Sequence, residues 1–344
     1  MEIKENSKGK AVYATKSFRP WEVIHSENAL VAICTPYFSE KLSSKADIDQ
    51  KINKFVFTHR DEVKKYREAK HGVILGKLND DRLLSMAQLN VSIPRNVLRS
   101  AAKTSGIPKE KIEKFAQIYR ANNFGINGLF GDEIGTAMFY TASYFNHSCD
   151  PNAFGLVTYN KIIVYARREI SPGEEISIPY KSIGVYLPDE KLSFKCQCGS
   201  CQKVERIPEE FIKELDNTPN FEGSIDFIFE KMIGVTNDHL LNAYLKILLE
   251  CYYEIWCQGR DHRPDDLYQA IMSQKLSPYI VMMEGYLIAL VMAHRKNLQE
   301  DFEKIKKYVK FFLSDQTVLE HVVICIRLTP NHYHRNLLDA LKVI

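Results

Sequence analysis

Three cysteines fall within six residues, Cys196-Gln197-Cys198-Gly199-Ser200-Cys201. Thiolates this close can share one ion, and they select zinc, which takes four ligands in a tetrahedron. Gly199 lets the loop wrap around the metal. The fourth ligand must come from elsewhere, so the spacing demands a contact between distant parts of the chain. Cys149 is the candidate, because it lies in the other dense motif of the sequence. A four-cysteine site has no open position, so it is expected to be structural. Cys34, Cys251, Cys257 and Cys325 lack such spacing and read as small core hydrophobes. The opening Met1-Glu2-Ile3-Lys4-Glu5-Asn6 has no apolar run of the secretory kind. A reducing compartment with metal-bound thiols is therefore expected rather than a disulfide framework.

At about 150 residues per domain, 344 residues suggest two domains. A hydrophobic share of 45% and a charged share of 26% are ordinary for a folded chain and argue against intrinsic disorder. No stretch approaches the ~18 uncharged apolar residues of a membrane span. The net charge of +3 is unevenly spread: residues 41–120 carry 18 basic and 9 acidic side chains, whereas residues 205–344 carry 16 and 21. A uniformly basic nucleic-acid binder is excluded; the basic segment reads first as a solvated helical face.

Residues 9–33 read as short strands around the turn Arg19-Pro20-Trp21-Glu22. Residues 45–120 are charged and helical in pattern, as in Asp47–Arg67 and Lys109–Ala121. Strands return over 124–180, with Phe154–Tyr159 and Lys161–Arg167 as a hairpin and Ile176–Tyr180 as a last strand after Ser171-Pro172-Gly173. From Pro208 the pattern is helical and reads as antiparallel helix pairs, with Asp238–Gln258 the clearest run and Ser277–Arg295, Leu298–Leu313 and Thr317–Leu328 following.

Asn146-His147-Ser148-Cys149-Asp150-Pro151-Asn152, then Gly173-Glu174-Glu175-Ile176 with Tyr180, then Cys-x-Cys-x-x-Cys, resembles the SET domain of protein lysine methyltransferases. The SET- and MYND-domain (SMYD) branch is the nearest resemblance. Asn122-Asn123-Phe124-Gly125-Ile126, a helical insertion and a helical C-terminal part carry it. Two departures stand out. Residues 35–58 contain neither Cys nor His, so the family's MYND zinc finger is absent. The family's Gly-x-Gly is Gly9-Lys10-Ala11 here, and the added methyl group disfavours positive φ.

The resemblance implies an α+β fold. SET-domain β-sheets would occupy 1–182, as a core split into 1–40 and 121–182 around a helical insertion at 41–120. A zinc-bound post-SET segment at 183–204 and an all-α, tetratricopeptide-like domain at 205–344 would follow. It implies methyl transfer from S-adenosylmethionine (SAM) to a lysine ε-amine of a histone or non-histone protein. Lys8, Gly9 and Lys10 would approach SAM through their backbone, with Asn123, Ser143, Asn146 and His147 beside its amino-acid end. Phe145 would supply backbone or a wall, and Phe194 would pack on the adenine or form part of the core. Tyr180 would be catalytic and also border SAM, orienting the amine and the methyl group. Tyr140, Tyr186 and Phe139 could line the lysine channel. Glu174 and Glu175 are expected as turn and surface charges. One structural Zn2+ would bind Cys149, Cys196, Cys198 and Cys201. A monomer is expected, in nucleus or cytoplasm or both, with a basic lysine-containing protein segment as partner, no membrane contact, and nucleic-acid binding not favoured. A catalytically weak SET-fold interaction module is the alternative.

Overall fold

A computed structural model of the chain describes residues 1–6, 9–34, 86, 95, 99, 102–103, 106, 108–127, 133–158, 161–180, 196–201, 205, 207–258, 260, 262, 264–273, 287, 289–290, 292–293, 298–319 and 321–322. Most of the 41–120 insertion, Lys8, Tyr186, Phe194, Cys325, the helix expected at Asp47–Arg67 and most of Ser277–Arg295 lie outside these residues.

Three small sheets form the β part. The first runs in the order β1 (Glu2–Asn6), β2 (Gly9–Tyr13), β10 (Glu175–Ile178), β7 (Asn146–His147). The second is β3 (Val23–Asn28), β9 (Lys161–Ala166), β8 (Ala153–Val157), and the third β4 (Val31–Cys34), β6 (Glu133–Met138), β5 (Asn123–Asn127). Strand β9, Lys-Ile-Ile-Val-Tyr-Ala, is buried over its last five residues, which is why it reads as an unbroken apolar run. It pairs antiparallel with β8 as the hairpin pattern predicts. One contact departs from antiparallel order: β7 runs parallel to β10, with Asn146 opposite Ser177 and His147 opposite Ile178. That pairing joins two sequence motifs about thirty residues apart.

Ala11 is fully buried in β2, opposite Lys4, and does not have positive φ. The strain expected from replacing glycine there does not arise. The left-handed conformation falls instead on Gly9, at φ 109°. There a Cβ would be strained by the backbone, although no atom lies within 4 Å of its position.

Helix α1 (Lys109–Asn122) covers the third sheet, burying Ile112, Phe115 and Ile118 on one face. With Leu30, Val31, Met86 and Met138, the latter two aromatic and aliphatic positions form a small separate core. Beyond residue 208 come α2 (Glu209–Asp216), α3 (Phe221–Met232), α4 (Asp238–Cys257), α5 (Pro264–Ser273) and α6 (Gln299–Leu313). Phe211 joins three of them, with ring centroids 5.1 Å from Phe227 and 4.9 Å from Tyr244. Helix α4 buries Tyr244, Leu245, Leu248, Leu249, Tyr252 and Ile255, the 3.6-residue stripe legible in its sequence.

The helices beyond residue 208 share one buried cluster with residues of all three sheets, running from Val12 to Val322. Phe311 of α6 meets Trp21 at 5.9 Å and Tyr165 at 5.6 Å. Trp21 sits at φ 73°, a costly position for an aromatic residue. Its N–H donates to Ala166 O at 2.7 Å. Alongside, Lys161 of β9 pairs with Asp315 at 2.5 Å. Burial opposes the Asp315 charge, but Lys161 and the Thr317 and Val318 amides outweigh it and hold the carboxyl below its ordinary value. A depressed carboxylate stabilises the fold above its unfolded pKa and loses that contribution as pH falls through the folded value. Asp315→Asn therefore costs about 1 kcal/mol at pH 7. In urea melts the difference from wild type shrinks on acidification below about pH 4. A pH-independent difference would refute the ion pair as its cause.

Candidate active site and four-cysteine cluster

The parallel β7–β10 pairing places the end of one motif against the other. Strand β10 ends at Ile178, so Tyr180 lies two residues beyond the strand rather than in it. Its backbone N–H donates to His147 Nδ1 at 3.2 Å, and its hydroxyl donates to Phe145 O at 2.9 Å. The His147 and Tyr180 rings lie 5.5 Å apart. Tyr180 is 45% exposed as a residue, with its hydroxyl held on the Phe145 carbonyl. Burial, and secondarily the Glu175 charge, push that hydroxyl up to about 12. It is a protonated donor at any physiological pH.

His147 is buried, and burial lowers it to about 4, so the ring is neutral. Because Nδ1 accepts from Tyr180, the hydrogen-bond network assigns the ring proton to Nε2. Nε2 faces Cys149 Sγ at 3.4 Å. The ring thus bridges the Tyr180 backbone and the cysteine cluster.

The four sulfurs of Cys149, Cys196, Cys198 and Cys201 all lie within 4.8 Å of one another. Cys149 is 3.9 Å from Cys196 and 3.5 Å from Cys201, and Cys198 is 3.4 Å from Cys201. A tetrahedral ion with sulfurs at about 2.3 Å spaces them about 3.8 Å apart, so the donor set fits zinc. Gly199, at φ 76°, makes the loop that brings the three close-spaced thiols together. The Cys149 and Ser200 amides each donate to Cys198 Sγ at 3.4 Å. Burial opposes a Cys198 thiolate, but these amides and the neighbouring thiols outweigh it and bring it down to about 6. Burial, with the nearby sulfurs, pushes Cys149 up. Four sulfurs converging this closely are the arrangement a cation completes.

The other expected site residues divide. Gly9 and Lys10 adjoin the short 3-10 turn at Ala142–Tyr144: β2 packs on that turn, and Lys10 Nζ sits 5.3 Å over the Tyr144 ring. Ser143 Oγ donates to Tyr140 O at 2.7 Å. Phe145 is fully buried, and its carbonyl accepts from the Tyr180 hydroxyl. Phe139 is also fully buried, with its ring 5.6 Å from that of Phe124. Phe145 and His147 thus both meet Tyr180, and His147 alone of the two also meets Cys149. Asn123 does not lie in that sheet. It opens β5 in the third sheet, exposed and opposite Met138.

Glu174 keeps the expected turn role by accepting from the Ser171 amide, but both glutamates are half-buried rather than surface charges. Asn146 Nδ2 donates to Glu175 Oε1 at 2.8 Å, and Asn152 Nδ2 donates to Glu174 Oε1 at 2.9 Å. Asn152, 2% exposed, also donates to Glu175 O and accepts from Ser177 N–H, both at 2.8 Å. One amide thus sews the 146–152 loop to β10. Asn152→Ala would leave the Ser177 amide and both glutamate acceptors without this buried partner. We expect it to lower stability by about 2–4 kcal/mol in denaturant melts, and a loss under about 0.5 kcal/mol would contradict this role. Sequence reasoning also passed over Glu27, whose carboxylate accepts from the Thr141 and Ala142 amides. Its partners lie 114 and 115 residues away, beyond any local pattern.

Residues 9–181 match the SET domain family, half of the chain. The chain belongs to that family. Among curated proteins it is similar to the histone-lysine N-methyltransferase SMYD3 of Homo sapiens, 25% identical over 179 residues, covering 50% of this chain and 36% of that protein. It is also similar to the N-lysine methyltransferase SMYD2 of Gallus gallus, 33% identical over 125 residues, covering 33% of this chain and 28% of that protein. The matched part thus spans about a third of the length of these relatives. The solved SET domain of LSMT bound to lysine and AdoHcy aligns at 11% identity and a TM-score of 0.26, covering 99% of this chain and 86% of that one; so low a score adds nothing to the assignment.

Proposed function

We propose that the chain is a SAM-dependent protein lysine N-methyltransferase. The observation that supports this most is the convergence, inside the SET-family segment, of Tyr180 on the Phe145 carbonyl and the His147 ring, with Asn146 between those two residues in the chain.

Bound SAM would supply an electrophilic methyl group on a sulfonium. Gly9, Lys10, Ser143, Asn146 and His147 are the residues proposed to hold it, joined by Asn123, Lys8 and Phe194 on the strength of the resemblance. The open, left-handed backbone at Gly9 suits close approach of a ligand. With its Nδ2 on Glu175, Asn146 presents Oδ1 as the end that accepts from an ammonium group. The Tyr180 hydroxyl, a donor fixed on the Phe145 carbonyl, orients the incoming amine through its remaining lone pairs. It does not act as the base, because it is pushed up to about 12. Freeing a lysine amine of its proton near pH 7.4 costs about 4 kcal/mol. An enclosed site lowers that cost by disfavouring the charged form, and in-line alignment supplies much of the rate.

One structural Zn2+ is proposed for the four-cysteine cluster, where it would brace 196–201 against Cys149. The acidic helical part, read as tetratricopeptide-like helix pairs, would face a basic substrate segment on a histone or other protein, in nucleus or cytoplasm. Among the described residues no helix is long and apolar enough to cross a membrane. The interaction-module alternative rests on the missing MYND finger and on Ala11, and β2 accommodates Ala11 without strain. Calorimetric titration with SAM, followed by incubation with histones and cell extract, tests the reading. Binding with methylated protein supports it, and the absence of SAM binding overturns it.

A further inference from the structure

We propose that Glu27 is a positioning residue for methyl transfer: its carboxylate fixes the 142–144 turn and thereby the Phe145 carbonyl that holds the Tyr180 hydroxyl. The inference rests on the functional reading above and extends it to a residue of the second sheet.

Glu27 lies in β3, paired with Ile162 of β9, and its side chain is 17% exposed. Its Oε1 accepts from the Ala142 amide at 2.6 Å and its Oε2 from the Thr141 amide at 3.2 Å. These amides open the turn, where N–H groups have no partner within the turn itself. Thr141 makes no side-chain cap there. The carboxylate, arriving from another sheet, takes that place with one oxygen for each amide.

What it holds leads directly to the reacting region. Tyr144 N–H donates to Thr141 O at 3.1 Å, and Phe145 N–H donates to Ala142 O at 3.2 Å. Residues 144 and 145 are therefore hung from the same two residues that Glu27 grips. The next atom group along the chain is the Phe145 carbonyl, the acceptor of the Tyr180 hydroxyl. The back of the turn is closed as well. The fully buried Phe145 ring lies 6.3 Å from the His25 ring, and His25 Nε2 lies 3.2 Å from Glu27 Oε1. The path from Glu27 to the Tyr180 hydroxyl therefore runs through two short links of backbone. In-line transfer is sensitive to displacements of about 1 Å, so loosening this grip should be felt in turnover.

The test is a double-mutant comparison of Glu27→Gln and Tyr180→Phe in the full chain, with labelled methyl transfer as the readout. Glutamine keeps the size of the side chain but sets an NH2 against one backbone N–H. Glu27→Gln should lower kcat about tenfold or more in the wild-type background. In the Tyr180→Phe background the same change should cost less than about threefold, because its route to the reaction is already cut. Equal losses in both backgrounds would mean general structural damage and overturn the proposal, as would full activity of Glu27→Gln. If Glu27→Gln does not fold, Glu27→Asp, which retracts the carboxylate, is read by the same two criteria. An inactive wild type would instead overturn the methyltransferase reading itself, a result distinct from active wild type with unaffected Glu27 variants.

Discussion

On the proposed function, Tyr180→Phe is expected to lower methyl transfer by about 100-fold or more and to leave SAM affinity within a few-fold. The substitution removes one oxygen, that of the hydroxyl that donates to Phe145 O at 2.9 Å. The ring remains, and so does the backbone N–H bond to His147 Nδ1. The loss therefore reports the orienting oxygen rather than the fold. The hydroxyl, pushed up to about 12, stays protonated through the physiological range. The rise of transfer with pH should thus follow the substrate amine, and the variant should keep the shape of that profile at a lower rate. Single-turnover rates at several pH values check both parts. Undiminished transfer in Tyr180→Phe would remove this residue from the mechanism.

Removing the proposed zinc is expected to have the largest effect of all. We expect one zinc per chain by elemental analysis, lost in Cys149→Ser together with methyl transfer and with protection of 196–201 from proteolysis. Structural zinc in small domains contributes on the order of 10 kcal/mol of apparent binding energy, so little of the local loop order should survive its loss. The consequence would not stay local. Cys149 sits two residues after His147, whose Nε2 faces its sulfur and whose Nδ1 anchors the Tyr180 amide. Releasing the cluster loosens that anchor, so chelation should abolish transfer before it unfolds α4. Full activity in zinc-free protein would contradict a bracing role for the ion.

Several features were legible in the sequence because their signals are local. The buried run of β9, the stripe of α4 and the range of α6 needed only periodicity. The cysteine cluster needed one long-range step, from 196–201 to Cys149, and coordination chemistry supplied the reason for it. Strand β1 carries no such signal: Glu2-Ile3-Lys4-Glu5-Asn6 is an edge strand, exposed over its first four residues, and only its pairing with β2 defines it. Glu174 and Glu175 follow a Pro-Gly turn and look solvated, yet they face asparagines brought up from the neighbouring loop. Glu27 reads as an ordinary polar position in an alternating strand. Its partners are backbone amides, which leave no trace in side-chain patterns. The residues legible in the sequence are those tied to motifs, whereas Glu27 acts through backbone contacts across sheets.

The most direct test of the account is transfer of labelled methyl from SAM by the full chain to histones and cell-extract proteins, with the labelled side chain identified by mass spectrometry. The account predicts label on lysine ε-amines, strongly reduced in Tyr180→Phe. Measurable SAM binding with no labelled lysine in any acceptor would contradict it.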